Sequence, residues 1–220
     1  MMIRLNDLYL CIQGEGCLAG TPMVLIRLHG CSVGCPFCDT KETWANDEEN
    51  RVPDLHQAQA DPSKWCEMEA SDVAIAASEI RQGAKWALIT GGEPADQDLH
   101  QLVACLNACG FLVAVETSGT ATGHMGAGVH WVCVSPKLGM PGAKPVLPEV
   151  VNTANEIKMV VGKPEDVTKL EDLLERSSFK GTVCLQPMST NPEATRFCIS
   201  TCQRKGWRLS LQTHKWINER

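Results

Sequence analysis

The sequence predicts an α/β protein built as a partial, open parallel βα barrel, and three observations carry that prediction. Short apolar runs rich in β-branched residues recur along the chain. Segments of helical periodicity separate several of them, and polar clusters follow the runs at their C-terminal ends. Alternating strands and helices imply βα units and a mainly parallel sheet. The chain has 220 residues and spends many on loops. A complete eight-unit barrel takes about 250 residues, so about six units fit better.

Taken in order, strands are expected at 23–28, 86–90, 111–115, 131–135, 156–160, 183–186 and 208–212. Helices are expected at 70–81, from Val73, Ala76, Ala77 and Ile80, and at 99–109, from Leu99, Leu102, Val103 and Leu106. Two more fall at 167–174 and 194–204, with Asp166 and Asn191 near their starts as caps. The stretch 41–69 is polar and acidic, with Pro53 and Pro62, and reads as an inserted loop or short helix inside a single domain spanning 1–220. Glycine and proline mark 119–128 and 138–148 as turns or loops.

Composition narrows the function classes. A formal net charge of −6 advertises no broad basic face for nucleic acid. No apolar run approaches the roughly 18 residues of a membrane span, and the N-terminus lacks the apolar stretch of a signal peptide. Cytoplasm is the expectation. Twelve cysteines would suit a secreted disulfide scaffold, but no export signal accompanies them and 44% of the residues are hydrophobic. Reduced thiols are expected. Cys105 with Cys109, and Cys198 with Cys202, sit one helical turn apart, as small buried hydrophobes would.

Three cysteines stand apart. Cys31, Cys35 and Cys38 form a C-x3-C-x2-C array just after the first apolar run. Zinc would need a fourth ligand, and no second cysteine pair or histidine pair completes such a site. A redox pair of Cys35 and Cys38 would leave Cys31 idle. Three thiolates in one loop can instead hold three irons of a four-iron cluster and leave the fourth iron open, whereas ferredoxin-type clusters take four cysteines. The segment 86–94, WALITGGEP, runs a strand into a glycine pair, a glutamate and a proline. Its backbone carbonyls and carboxylate suit the amino group of S-adenosylmethionine. Together the two features point to an enzyme that reduces S-adenosylmethionine at the open iron.

Further polar groups end the strands: Glu116-Thr117-Ser118-Gly119, Ser135-Pro136-Lys137, Gln186-Pro187-Met188-Ser189 and Gln212-Thr213-His214-Lys215. In barrels and open α/β sheets ligands bind where the C-terminal ends of the strands converge, so these clusters should meet the cysteine loop at one mouth. Arg27 lies within an apolar strand, on the face of Leu25 and His29 by alternation. It is either paired with Glu93 or Glu116 or is a fork for a substrate carboxylate. The amide of Gln13, flanked by Gly14, could read the edge of a planar heterocycle. Thr40 could help hold magnesium, and Glu116 and His214 could move protons.

These blocks closely resemble the 7-carboxy-7-deazaguanine synthases, radical S-adenosylmethionine enzymes of queuosine and deazapurine biosynthesis. The likeness rests on IQGEG at 12–16, IRLHGCSVGCPFCDT at 26–40, ITGGEP at 89–94, ETSGT at 116–120, SPK at 135–137, ANEIK at 154–158, LQPMS at 185–189 and LQTHK at 211–215. It implies an open barrel of the radical S-adenosylmethionine type. The implied reaction converts 6-carboxy-5,6,7,8-tetrahydropterin to 7-carboxy-7-deazaguanine with loss of ammonia. It also implies a 4Fe-4S cluster on Cys31, Cys35 and Cys38, S-adenosylmethionine, Mg2+ at Thr40, a homodimer, and flavodoxin as electron donor. Ile12, Gln13, Gly14, Arg27 and Thr90 would contact the substrate. Phe37, Asp39, Gly92, Ser135, Pro136, Lys137 and Gln186 would face S-adenosylmethionine, with Glu116 and His214 left for proton transfer. A glycyl-radical activating enzyme shares the cysteine spacing but would have no use for the Arg27 fork or the Gln13 loop. A non-enzymatic iron–sulfur or zinc module would have little reason for GGEP, SPK and QTHK at strand ends.

Overall fold

The computed structural model describes residues 1–188 and 191–217. Its strands are β1 (Met2–Ile12), β2 (Pro22–Leu28), β3 (Cys66–Glu69), β4 (Trp86–Gly91), β5 (Leu112–Thr117), β6 (Val129–Val134), β7 (Glu156–Val161), β8 (Thr182–Pro187) and β9 (Arg208–Leu209). The helices are α1 (Leu55–Gln59), α2 (Ala70–Ile80), α3 (His100–Ala108), α4 (Pro148–Thr153), α5 (Pro164–Glu175), α6 (Pro192–Lys205) and α7 (Thr213–Ile217). One nine-stranded sheet runs in the order β3-β1-β2-β4-β5-β6-β7-β8-β9. From β2 through β9 neighbouring strands are parallel, while β1 pairs antiparallel with both β2 and β3. Every strand expected from the apolar runs is present, although β9 is only two residues long.

Alternation along the strands sorts their side chains into two layers. Val24, Ile26, Leu28, Ala87, Ile89, Val113 and Val115 face outward into a core closed by Val73, Ala74 and Ala77 of α2 and Leu102, Val103 and Leu106 of α3. Ile157, Val161, Val183 and Leu185 do the same against Val167 and Leu170 of α5 and Cys198 and Cys202 of α6. Burying each such aliphatic side chain stabilises the fold by about 1.5–3 kcal/mol. The opposite face starts apolar, at Met23, Leu88 and Ala114 with Trp131 packed against them. It turns polar toward the strands' C-terminal ends, and that change of polarity makes the mouth.

Local chemistry sets the helix ends. Asn191 caps α6, its Oδ1 accepting from the N–H groups of Glu193 and Ala194 at 2.9 and 3.2 Å, with Pro192 at the first position. Asp166 is not the cap residue of α5. That helix begins earlier, at Pro164, and Asp166 sits one turn in, accepting back from Lys163 N–H at 3.1 Å.

The segment 41–69 holds more structure than a loop or short helix. It contains α1 and ends in β3, which extends the sheet beyond β1. Asn6 donates to the carbonyls of Pro62 and Lys64 at 2.8 Å, tying the segment to β1. The thiols assigned to packing behave so: Cys198 and Cys202 are buried in the outer core, and Cys105 and Cys109 pack against it. All twelve cysteines are free.

Candidate active site

The C-terminal ends of β2, β4, β5, β6, β7 and β8 open into a cleft of about 690 Å³. Every site residue expected from the sequence lines it except Pro136. Pro136 instead lines an adjoining pocket of about 420 Å³ that shares Phe37, Val160 and Met188 with the cleft, so it is set one layer back. Ser189 lies outside the described residues. The alternation that placed His29 beside Arg27 fails because β2 ends at Leu28. His29 turns away, is fully buried, bonds Ala45 O at 2.7 Å and stacks on Trp65.

The cysteine loop is strapped at several points. Ser32 donates to Asp96 through both its N–H and its hydroxyl, each at 2.9 Å, and Lys144 bridges the same pair. Glu93 N–H donates to Gly30 O and Gly92 N–H to Leu28 O, so the glycine turn lies directly against the loop. A side chain at Gly92 would collide with Gly30 O, which is why the turn needs glycine there. The Glu93 carboxylate, although it lines the cleft, also has a structural task. It is buried and accepts from Thr117 Oγ1, Ser118 N–H and Ala95 N–H, bracing the turn against the end of β5.

Cys31, Cys35 and Cys38 all reach the cleft. Burial pushes the Cys35 thiol up to about 11, with Lys137 pulling the other way, and it raises Cys31 as well. Thiols so placed take up charge when a cation joins them. Thr40 N–H lies 3.4 Å from Cys38 Sγ, an N–H···S bond of the kind that tunes iron–sulfur sites. Among the described residues, the three sulfurs do not gather within 4.8 Å of one another as they would around one ion. The donor set therefore fits a multi-iron cluster better than zinc.

Beyond the loop stands a buried charge network that the motifs alone did not reveal. Lys158 on β7 donates to Glu15 at 2.5 Å and to Glu116 at 3.0 Å. Gln13 donates to Glu116 at 3.2 Å, and Gln212 to Glu15 at 2.8 Å. Burial opposes charge on Glu15, yet Lys158 beside it and the bonds from Lys158 and Gln212 hold its carboxyl down to about 2. Burial likewise works against the Lys158 ammonium, and the two carboxylates more than offset it, raising its pKa. With Lys158 satisfied, Arg27 is left to the cleft. Its Nη2 donates to Tyr9 Oη at 3.0 Å, and among the described residues it makes no ion pair with Glu93 or Glu116. His214 lies against Gly14, where a side chain would strike its Nδ1. Asp39 is held by Lys215 at 2.9 Å, and Lys137 donates to Ser135 Oγ at 2.6 Å.

An open α/β barrel whose mouth joins a three-cysteine loop to a Gly-Gly-Glu-Pro turn defines a radical S-adenosylmethionine enzyme. No protein-family model matches the chain. It is 39% identical to 7-carboxy-7-deazaguanine synthase of Escherichia coli (strain K12), over 99% of each chain. It is 35% identical to that of Buchnera aphidicola subsp. Schizaphis graminum, over the whole of both. The crystal structure of QueE from Escherichia coli superposes with a TM-score of 0.90 at 39% identity, covering 96% of this chain and 94% of that one. The chain belongs to the 7-carboxy-7-deazaguanine synthase family. Membership implies a 4Fe-4S cluster and S-adenosylmethionine, and it does not favour a glycyl-radical activating enzyme. No helix among the described residues is long and apolar enough to cross a membrane.

Proposed function

We propose that this chain converts 6-carboxy-5,6,7,8-tetrahydropterin to 7-carboxy-7-deazaguanine with loss of ammonia. The observation that carries the reading is Arg27, a guanidinium facing the cleft without a carboxylate partner among the described residues, while the neighbouring Lys158 is doubly paired. A planar fork left open in a cleft suits a substrate carboxylate. Gln13, oriented through Glu116, can present its amide to the edge of the heterocycle, with Ile12, Gly14 and Thr90 completing the wall.

Cys31, Cys35 and Cys38 would hold the cluster, which with S-adenosylmethionine supplies one-electron, hydrogen-abstracting chemistry when bound. Gly92, Ser135, Lys137 and Gln186 would line the S-adenosylmethionine side, with Phe37, Asp39 and Pro136 behind them. Loss of ammonia requires a proton at the departing nitrogen. His214 and Glu116 both line the cleft, and Glu116 is held in place by Lys158. We further place the protein in the cytoplasm, as a homodimer reduced by flavodoxin, on the strength of the family alone.

Arg27→Lys tests the reading by binding. A point-charge ammonium cannot reproduce the guanidinium fork, and losing a charge-assisted bond costs about 1.5–3 kcal/mol, roughly 10- to 150-fold in affinity. Carboxypterin should weaken by that amount, while a pterin without the carboxylate, and S-adenosylmethionine, should bind nearly as before. Equal losses for all three would make Arg27 a structural cation and remove the argument.

Magnesium is assigned to Thr40, whose hydroxyl lies at the cysteine loop, 3.7 Å from Cys38 Sγ. Thr40→Val keeps the shape and removes the oxygen. Turnover of the wild type should rise with added Mg2+, and the variant should lose that response while keeping its iron. A rate independent of Mg2+ after chelation would contradict the assignment.

A further inference from the structure

We propose that Cys17, Glu156 and Cys184 form a second metal site, separate from the cluster, for a thiophilic divalent cation of the zinc class. The three ligand atoms lie within 4.8 Å of one another, and none of the three residues lines the cleft. The sulfurs of Cys17 and Cys184 are 3.7 Å apart. Two thiolates on one tetrahedral ion at about 2.3 Å each stand roughly 3.8 Å apart, whereas a disulfide would close the gap to about 2.05 Å.

The carboxylate points to the same conclusion independently. Glu156 is 2% exposed. Its Oε2 accepts from Cys17 N–H at 3.0 Å and Trp131 Nε1–H at 3.2 Å. Its Oε1 is buried with no hydrogen-bond partner among the described residues. The Cys17 and Cys184 thiols offer this carboxylate only weak S–H donors, and a buried carboxylate oxygen so poorly served is costly. A disulfide between the two cysteines would leave it bare; a cation would satisfy it together with both sulfurs. The N–H bonds to Oε2 fix the carboxylate's orientation, as outer partners of metal ligands do. Close approach is also provided for, because any side chain at Gly16 would collide with Oε1. Three protein ligands leave one position open, and Cys17, half-buried, gives a route to it.

The site's place in the fold suggests its purpose. Cys17 belongs to the loop between β1 and β2 that also carries Gln13, Gly14 and Glu15, while Glu156 and Cys184 stand on β7 and β8. A bound ion would pin that loop to the far wall of the barrel and set the position of the Gln13 amide. Cys17 and Cys184 then differ in role from Cys105, Cys109, Cys198 and Cys202, which serve packing.

The test is metal analysis of the full-length, cluster-loaded protein after equilibration with Zn2+ and removal of loose metal. About one zinc per chain is expected beside the cluster iron. Cys17→Ser and Glu156→Gln should each lose the zinc and leave the iron unchanged, and Co2+ in place of Zn2+ should show thiolate-to-cobalt charge transfer only with Cys17 present. Cys17, on a half-buried loop, keeps the test available should Cys184→Ser fail to fold. Wild type without zinc, zinc retained in the Cys17 and Glu156 variants, or a Cys17–Cys184 disulfide in anaerobically purified protein would each overturn the proposal. Iron content and carboxypterin turnover report separately on the function proposed above.

Discussion

Alanine at Cys31, Cys35 or Cys38 is expected to abolish both the brown absorption of the reconstituted protein and all turnover. Each thiol comes from one short loop, clamped by Asp96 on one side and by the glycine turn on the other. That bracing holds the three sulfurs in fixed places, so the loop cannot rearrange to replace a missing one. Cys198→Ala, by contrast, removes a sulfur from the outer core and should leave iron content unchanged, as should Cys105→Ala. Iron measured against protein, with the visible spectrum, reads the difference. A Cys105 variant that lost iron in proportion would break the division of thiols into ligands and packing groups.

The next largest effect is expected at Lys158. Its ammonium is buried between Glu15 and Glu116, with a side chain only 3% exposed. Lys158→Met would leave two carboxylates facing each other without a counter-ion, and breaking a buried pair from one side costs about 3–5 kcal/mol. Against a total stability of about 5–15 kcal/mol, that is a large share, and urea unfolding should show it as a lowered midpoint. Glu116→Gln in the same chain should recover part of the loss. The wild type should lose this stabilisation in acid. The Glu15 carboxyl is held at about 2 against an ordinary 4.5, so its contribution is complete above about pH 4.5 and fades as the pH falls toward 2. A Lys158→Met protein within about 1 kcal/mol of wild type would mean the network is solvated and idle.

The parallel strands were legible because strands buried on both faces read as unbroken apolar runs. The runs 23–28 and 86–90 are of that kind up to Arg27 and Thr90, where the strands reach the cleft, and both lie in the sheet where expected. β1 was not legible. It pairs antiparallel near one edge, its register shifts between Leu5 and Asp7, and Arg4, Asn6 and Asp7 break the apolar pattern. β3, four residues reading CEME, carries no pattern long enough to count. Most of the mouth could be found because its residues directly follow strands. The Lys158–Glu15 pair could not, since its partners are 143 positions apart and only the folded sheet brings them together. A signal existed nonetheless. Glu156 and Lys158 alternate with Ile157 and Met159, so two charged residues share one face of a buried strand. Such a face demands partners.

The central claim is that the cysteine loop and the Arg27 wall of one cleft serve a single reaction. One anaerobic assay tests it most directly: reconstituted protein, S-adenosylmethionine, a low-potential reductant and 6-carboxy-5,6,7,8-tetrahydropterin, with products quantified together. 7-Carboxy-7-deazaguanine and ammonia are expected in equal amounts, with loss of both when Arg27→Lys is assayed below saturation. Cleavage of S-adenosylmethionine with no change in the pterin, by protein carrying its full complement of iron, would contradict it.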